Sequence, residues 1–372
     1  MALAGRATAT GTARYTSRFL GTGAAEEHFR SALGLRFSSI GCGTYLGSLS
    51  DAVDDSYRFA LAEAVRRGCN VLDTAVNYRA QRSELALGRA VADLVLSGEF
   101  ARDELIIASK GGFIAYRLGH PPDPVQYVYK NLIATGVAEP DDLAGGIHCM
   151  APNYLSQQIT WSLRNTGLRT LDIYYIHNPE TQLAFVDWAV VRNRLQIAFA
   201  RLEEEVAAGR IGCYGVATWE GLRRPPMSAD YLSLEVMVRL AIAVAGPEHH
   251  FRVVQFPLNA AVADCANLRN QPVRDELLPA LDAAVALGLT VVTSASVMQA
   301  QMTGRLPAML AEGFPLLNTS VQRALQFTRS LSGVTTALVG MSRPEHVREN
   351  LVLAACPPDV DRARRLARAL AR

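Results

Sequence analysis

The chain has 372 residues, 49% of them hydrophobic and 19% charged, with a formal net charge of +2. That composition calls for a large buried core and excludes a disordered protein, and the near-balanced charge gives no footing for a nucleic-acid groove or an anionic membrane surface. No apolar run approaches the roughly 18 to 20 residues that cross a bilayer, and six cysteines lie far apart without a C-x-x-C pair, the usage of a reduced, cytoplasmic protein.

Residues 1–34 are rich in Ala, Gly, Thr and Arg, with no acid before Glu26. Such an extension reads as a targeting segment, as a flexible extension, or as an arm packed across the barrel floor. From residue 35 onward the punctuation is regular. Residues 38–45 read as a short strand leading into a loop, and a helix from Asp51 to Arg67 comes next, closed by Gly68. Val71–Ala75 reads as strand two, Ser83–Leu96 as its helix, and Leu105–Lys110 as strand three. A long segment, 111–147, then interrupts the rhythm with Pro121-Pro122, four aromatic residues (Phe113, Tyr116, Tyr127, Tyr129) and Gly145-Gly146. Connections of that length in a compact domain are usually lids or binding loops.

The alternation resumes with a helix capped at Asn153 and strand four over Leu171–His177. Strands five to eight are expected at Ile211–Ala217, Val253–Asn259, Thr290–Ser296 and Thr335–Val339. Helices are expected over 190–208 after strand four, over 232–244, 275–287, 319–331 and 344–353 after strands five to eight, and over 359–371 at the end. Eight apolar strands alternating with helices imply a parallel sheet buried on both faces. The expected fold is a (β/α)8 TIM barrel spanning 35–372, with a lid-like insertion after strand three and a C-terminal helix. Gly41-x-Gly43-x-x-x-Gly47 is one residue too long for a dinucleotide fingerprint and reads as a permissive loop.

Asp73, Lys110 and His177 each end a strand, on neighbouring strands two, three and four, and Tyr78 comes after Asp73 by a short loop. Each alone has a structural explanation: a loop cap, a surface pair, a satisfied histidine, a core tyrosine with a bonded tip. Together they suit proton transfer to a carbonyl. A phenol titrates near ~10, an adjacent ammonium favours its ionised form, and a carboxylate fixes the lysine. Tyr78 then serves as general acid and His177 orients the oxygen.

These residues lie in longer matches: Leu72-Asp73-Thr74-Ala75 with Tyr78, Ser83-Glu84 and Leu87-Gly88; Ser109-Lys110; Leu171 to His177; Gly209-Arg210-Ile211 through Thr218; Gly340 to Arg343; and Glu349-Asn350. In that order they resemble the aldo-keto reductase superfamily, in particular its little-characterised bacterial members. The resemblance implies NADP(H) bound without a Rossmann domain and Asp73, Tyr78, Lys110 and His177 as the catalytic four. It implies Thr218 and Gln255 at the nicotinamide amide, and Gly340, Ser342, Arg343, Glu349 and Asn350 at the adenosine end. Gly340 to Ser342 also precedes a helix N-terminus, and Arg343 can fork onto a 2′-phosphate.

Three departures from the family pattern stand out. Thr218-Trp219 replaces Ser-Asn, Ser294-Ala295-Ser296 lacks the ring-stacking tyrosine, and the 111–147 segment is unusually long. The expected activity is an NADP(H)-dependent oxidoreductase acting on a small-molecule carbonyl or alcohol. The alternatives are a cofactor-bound sensor with little turnover, and a cofactor-assisted isomerase or lyase on a sugar-like substrate. His249-His250 and His148-Cys149 lack the partners of a metal site, so no metal is expected. Oligomeric state and substrate have no signature in the chain.

Overall fold

A computed structural model describes residues 2–298 and 308–370 of the chain. Eight parallel strands close into one barrel in sequence order. They are β1 (Ile40–Gly43), β2 (Val71–Asp73), β3 (Ile106–Gly111), β4 (Leu171–His177), β5 (Ile211–Ala217), β6 (Phe251–Pro257), β7 (Thr290–Ser294) and β8 (Val334–Gly340). β2, β3 and β4 are buried along their whole length, because helices cover the outside and side chains fill the inside. Ala108, Ile173, Tyr175, Val253, Val292 and Leu338 pack together as that interior, so the barrel is a filled core and not a pore.

The ring helices are α1 (Asp51–Arg66), α2 (Arg82–Leu96), α3 (Pro152–Thr166), α4 (Trp188–Ala207), α5 (Leu234–Ala245), α6 (Ala280–Ala286), α7 (Ser320–Ser330) and α8 (Pro344–Leu351). Their starts are set by side-chain chemistry. Asp187 accepts from Val190 N at 3.0 Å to open α4, and Thr319 with Gln322 forms a capping box at α7; each such cap is worth about 1 kcal/mol. Asn153 does not cap α3, which instead begins with Pro152 at its first position, where a missing N–H costs nothing.

One expected element is different. The helix read over 275–287 begins only at Ala280, and the residues before it form a hairpin of Arg269–Val273 with Glu276–Pro279. Pro279 has no N–H to donate and clashes inside a helix, so it stands just before the first turn of α6 as its N-cap. The C-terminal helix covers Val360–Leu370.

The N-terminal extension packs across the barrel floor. Leu3 bridges to Leu168, and a helix over Ala9–Leu20 is capped by Thr8. Arg14 pairs with Asp103 at 2.5 Å and with Glu104 at 3.1 Å. Tyr15, fully buried, donates to Val65 O at 2.6 Å. Asp172 opens to this arm: one oxygen accepts from Ala7 N at 2.6 Å, the other from Arg102 and Ile107 N, each at 2.7 Å. A hairpin of Phe29–Ala32 with Leu35–Ser38 completes the floor.

The segment after β3 is folded as well. It holds a short helix over Pro124–Val128 and a hairpin of Leu143–Ala144 with His148–Cys149. Ile114, Val128, Leu132, Cys149 and Tyr154 give it a small core of its own against α3. The turn at Gly112 (φ +133°) has no room for a side chain, because a Cβ would meet His148 Nε2 at 2.7 Å.

Candidate active site

A cavity of about 510 Å³ opens at the carboxyl ends of the strands. Register explains what faces it. Asp73 pairs with Ala108, and Lys110, two residues on, shares the inward face one pleat higher. Lys110 pairs with Tyr175, and His177, two further on, pairs with Ala217, which pairs in turn with Gln255. Alternation therefore aims Asp73, Lys110, His177 and Gln255 at one end of the barrel.

The four residues expected to carry the chemistry are together. Lys110 Nζ donates to Asp73 Oδ1 and, at 2.9 Å, to Thr74 O. The same ammonium lies 4.8 Å from the centroid of the Tyr78 ring. Tyr78 meets His177 edge-on, with centroids 5.6 Å apart. Burial pulls the Lys110 ammonium down, but Asp73 and Tyr78 more than offset it, so it is held above its ordinary value. Burial pushes the Tyr78 phenol up, and Lys110 only partly opposes that shift. The pull of lysine expected on chemical grounds is present, yet desolvation is the larger effect in this pocket. Burial, aided by Lys110 and His148, keeps His177 well below its usual range and hence neutral. Its Nδ1 is buried without a partner.

The residues matched to the nicotinamide amide line the cavity, each with a donor already engaged. Thr218 Oγ1 donates to Glu180 Oε1 at 2.6 Å and accepts from Gly221 N at 3.0 Å. Gln255 Nε2 donates to Asp73 Oδ2 at 2.9 Å. Gly340 borders the cavity. Ser342, Arg343, Glu349 and Asn350 lie beyond it, at and along α8; Arg343 is the exposed residue just before that helix, and Asn350 is buried with an unpartnered Oδ1. Ser294, Ala295 and Ser296 line the cavity where the stacking tyrosine would stand.

Several further residues complete the cavity, among them Phe113 of the long segment and Trp219 of the altered Ser-Asn pair. Tyr45 packs edge-on to Tyr78 at 5.0 Å, and Phe113 to His177 at 5.1 Å, so two aromatic walls flank the pair. Asn77, Asn178, Trp219 and Val297 also line the space. Of the long segment's aromatic groups only Phe113 reaches it: Tyr116 and Tyr127 pack on each other, and Tyr129 is exposed. Glu180 gathers the turn after β5, accepting from Thr218 and from the backbone N–H of Trp219 (2.7 Å) and Glu220 (3.0 Å). The position of Tyr45 after strand one would have pointed to the mouth; the role of Glu180 depends on two loops meeting.

His148 Nε2 meets the backbone oxygen of His177 at 2.7 Å, and His250 Nδ1 meets Glu203 at 2.6 Å. Among the described residues no group of three His, Cys, Asp or Glu could hold a metal, and no helix is long and apolar enough to cross a membrane. All six cysteines are unpaired.

Barrel, strand-end cluster and cavity together define a (β/α)8 protein with a buried Asp, Lys, Tyr and His cluster at its pocket. A model of the aldo/keto reductase family matches residues 39–224, and the chain belongs to that family. No curated protein sequence matches it. Among solved structures it is similar to an aldo/keto reductase from Klebsiella pneumoniae in complex with NADP and acetate, at 18% identity over 90% of this chain and 92% of that one, with a TM-score of 0.60. The holo aldo-keto reductase from Bacillus halodurans matches at 18% identity over 92% and 95%, TM-score 0.61. The glycerol dehydrogenase from Gluconobacter oxydans matches at 17% over 93% and 95%, TM-score 0.64. At such identities the likeness is one of fold.

Proposed function

We propose that the protein is an NADP(H)-dependent oxidoreductase that interconverts a carbonyl and an alcohol. One observation carries the reading: Asp73, Lys110, Tyr78 and His177 form a single contact chain at the cavity. The donor set suits the cofactor. Gln255, with its N–H on Asp73, keeps an amide oxygen able to accept from the nicotinamide amide. Gly340 has nothing within 4 Å of where a side chain would project, and Arg343 stands at the start of α8, where backbone N–H groups and a guanidinium favour a phosphate. When bound, NADP(H) supplies or accepts the hydride.

The protein's own groups handle the proton and the substrate. Tyr78, kept protonated in the buried pocket, gives its phenolic proton to the carbonyl oxygen and recovers it from Lys110 or solvent. The Lys110 ammonium stabilises the phenolate left behind, and Asp73 keeps Lys110 in place. Neutral His177 donates a hydrogen bond to the same oxygen without bringing a second full charge. Tyr45, Phe113 and Trp219 exclude water from the reacting carbonyl.

The test is turnover. Purified protein is mixed with NADPH and a panel of aldehydes and ketones, and NADPH absorbance is monitored. Tyr78→Phe is expected to lower kcat by about a hundredfold or more while NADPH still binds, the loss typical of a missing general acid. Retention of most activity in that variant would remove Tyr78 from its role. Tight NADPH binding without turnover on any carbonyl would favour a sensing function.

A further inference from the structure

Asp73 has two carboxylate oxygens and a different partner on each. Oδ1 takes Lys110 Nζ, and Oδ2 takes Gln255 Nε2 at 2.9 Å. Gln255 comes from β6, which in the closed order stands four strands from β2 in either direction. Its side chain therefore crosses the barrel interior from the opposite wall, and it is only 4% exposed. Such a contact between diametrically opposed strands is not dictated by pairing. It exists because the barrel at this level is narrow enough for one glutamine to span.

We propose that Gln255 is a positioning residue for proton transfer, bracing Asp73 from across the barrel so that its carboxylate stays on Lys110 under the Tyr78 ring. The inference rests on the reading of Tyr78 as proton donor, and it gives Gln255 a task besides any contact with cofactor. One N–H of Nε2 is committed to Asp73, so a cofactor amide meets the second N–H or the amide oxygen. In a dry pocket a carboxylate oxygen stripped of its donor is costly. Without Gln255, the full negative charge of Asp73 falls on Lys110, and the ammonium exerts less field on the phenol. The Tyr78 proton is then held more tightly. The titratable groups around the pair are Lys110, Tyr78, Cys42 and Tyr175 near Asp73, with Tyr45 and His177 against Tyr78; of these, Tyr175 also bonds the Gln255 side chain.

The experiment compares wild type with Gln255→Met, which keeps length and loses the donor. Three quantities are read: the pH profile of alcohol oxidation with saturating NADP, the NADPH dissociation constant by fluorescence, and the titration of Tyr78 in cofactor-free protein by 13C-tyrosine NMR, assigned with Tyr78→Phe. The expected result is an upward move of the Tyr78 titration and of the matching rate limb by about one pH unit, the scale of one hydrogen bond to a charged group. The NADPH constant is expected to rise by up to about tenfold, because Met also removes the amide oxygen assigned to the cofactor, so the cofactor-free titration decides the brace. An unmoved titration with a tenfold or greater loss of NADPH affinity overturns the proposal and leaves Gln255 a cofactor contact alone. Should Gln255→Met not fold, Gln255→Leu carries the test: it removes the donor without adding charge and must move the titration the same way, and no movement overturns the proposal. If wild type oxidises no alcohol, the functional reading fails, whereas the NMR titration still decides the brace.

Discussion

Tyr78 is succeeded by three non-glycine residues in left-handed backbone, Arg79 (φ +48°), Ala80 (φ +52°) and Gln81 (φ +72°). Each costs on the order of 1 kcal/mol, and such strain persists only where neighbours over-determine it. Arg79 supplies that hold. Its Nη2 pairs with Asp54 at 2.6 Å and donates to Ser48 O at 2.7 Å, and both side chains of the pair are nearly sealed from water. The contact ties the Tyr78 turn to the loop carrying Tyr45. Arg79→Met leaves Asp54 with Arg82 alone and releases the turn; the expected loss is about 3 kcal/mol of stability by denaturant unfolding. A loss under about 1 kcal/mol would show that the turn is held by other contacts. Arg343 belongs to the same scale. Arg343→Ala should raise the dissociation constant for NADP about tenfold or more and leave that for NAD nearly unchanged, the signature of a lost charge-assisted bond to a 2′-phosphate. Equal effects on both cofactors would show that Arg343 does not read the phosphate.

The segment after β3 behaves as an element with its own interior. Tyr154 OH and Gln158 Nε2, both on α3, donate to Phe113 O at 3.1 and 2.8 Å, and His148 reaches back to the His177 carbonyl. The segment is thus fastened at its root, and what it contributes to the cavity is Phe113. We expect that replacing 115–144 with a short Gly/Ser linker leaves the barrel folded, because the small core lost is separate from the main one. Phe113 keeps its bonds to α3, but its neighbour Ile114 loses Val128 and Leu132, and the loosened wall should raise KM for substrate several-fold while NADPH affinity, measured by fluorescence titration, stays near wild type. Unchanged kinetic constants in the shortened protein would make the segment purely structural. A similar logic applies to the N-terminal arm, whose Tyr15 and Ala7 contacts make it part of the floor in this structure.

For the molecule as a whole, buried histidines set an acid limit. Burial, with Arg329 and Arg30 nearby, holds His28 down to about 3, and burial holds His148 down to about 4. A group depressed on folding binds more protons in the unfolded chain. Its stability contribution is therefore complete above the unfolded value near ~6.5 and is lost as pH falls toward the folded value, on the order of 2 kcal/mol per histidine at pH 5. Glu84 and Glu180, both raised chiefly by burial, act in the opposite sense, so the histidine effect is best read by difference. Between pH 6.5 and 5, wild type should lose about 2 kcal/mol more than His28→Asn. Parallel stability curves for the two proteins would show that His28 does not titrate on unfolding.

What the sequence determined by itself is the part of the molecule that local pattern dictates. Apolar runs of strand length, closing glycines and helical spacing dictate the eightfold alternation, and a polar residue at the end of a buried strand must face the mouth. Asp73, Lys110 and His177 were legible for that reason, and Tyr78 through its short tether. Pro279 was equally local, yet apolar periodicity outweighed it and hid the hairpin before α6. The tertiary structure alone decided contacts between parts far apart in the chain: Gln255 reaching Asp73 across the barrel, Glu180 filling the turn after β5, Arg79 gripping Ser48 and Asp54, and only Phe113 of the long segment reaching the pocket. Periodicity tells a side chain which face of its own strand it occupies. Which partner waits there depends on barrel closure and register, and these are properties of all eight strands at once.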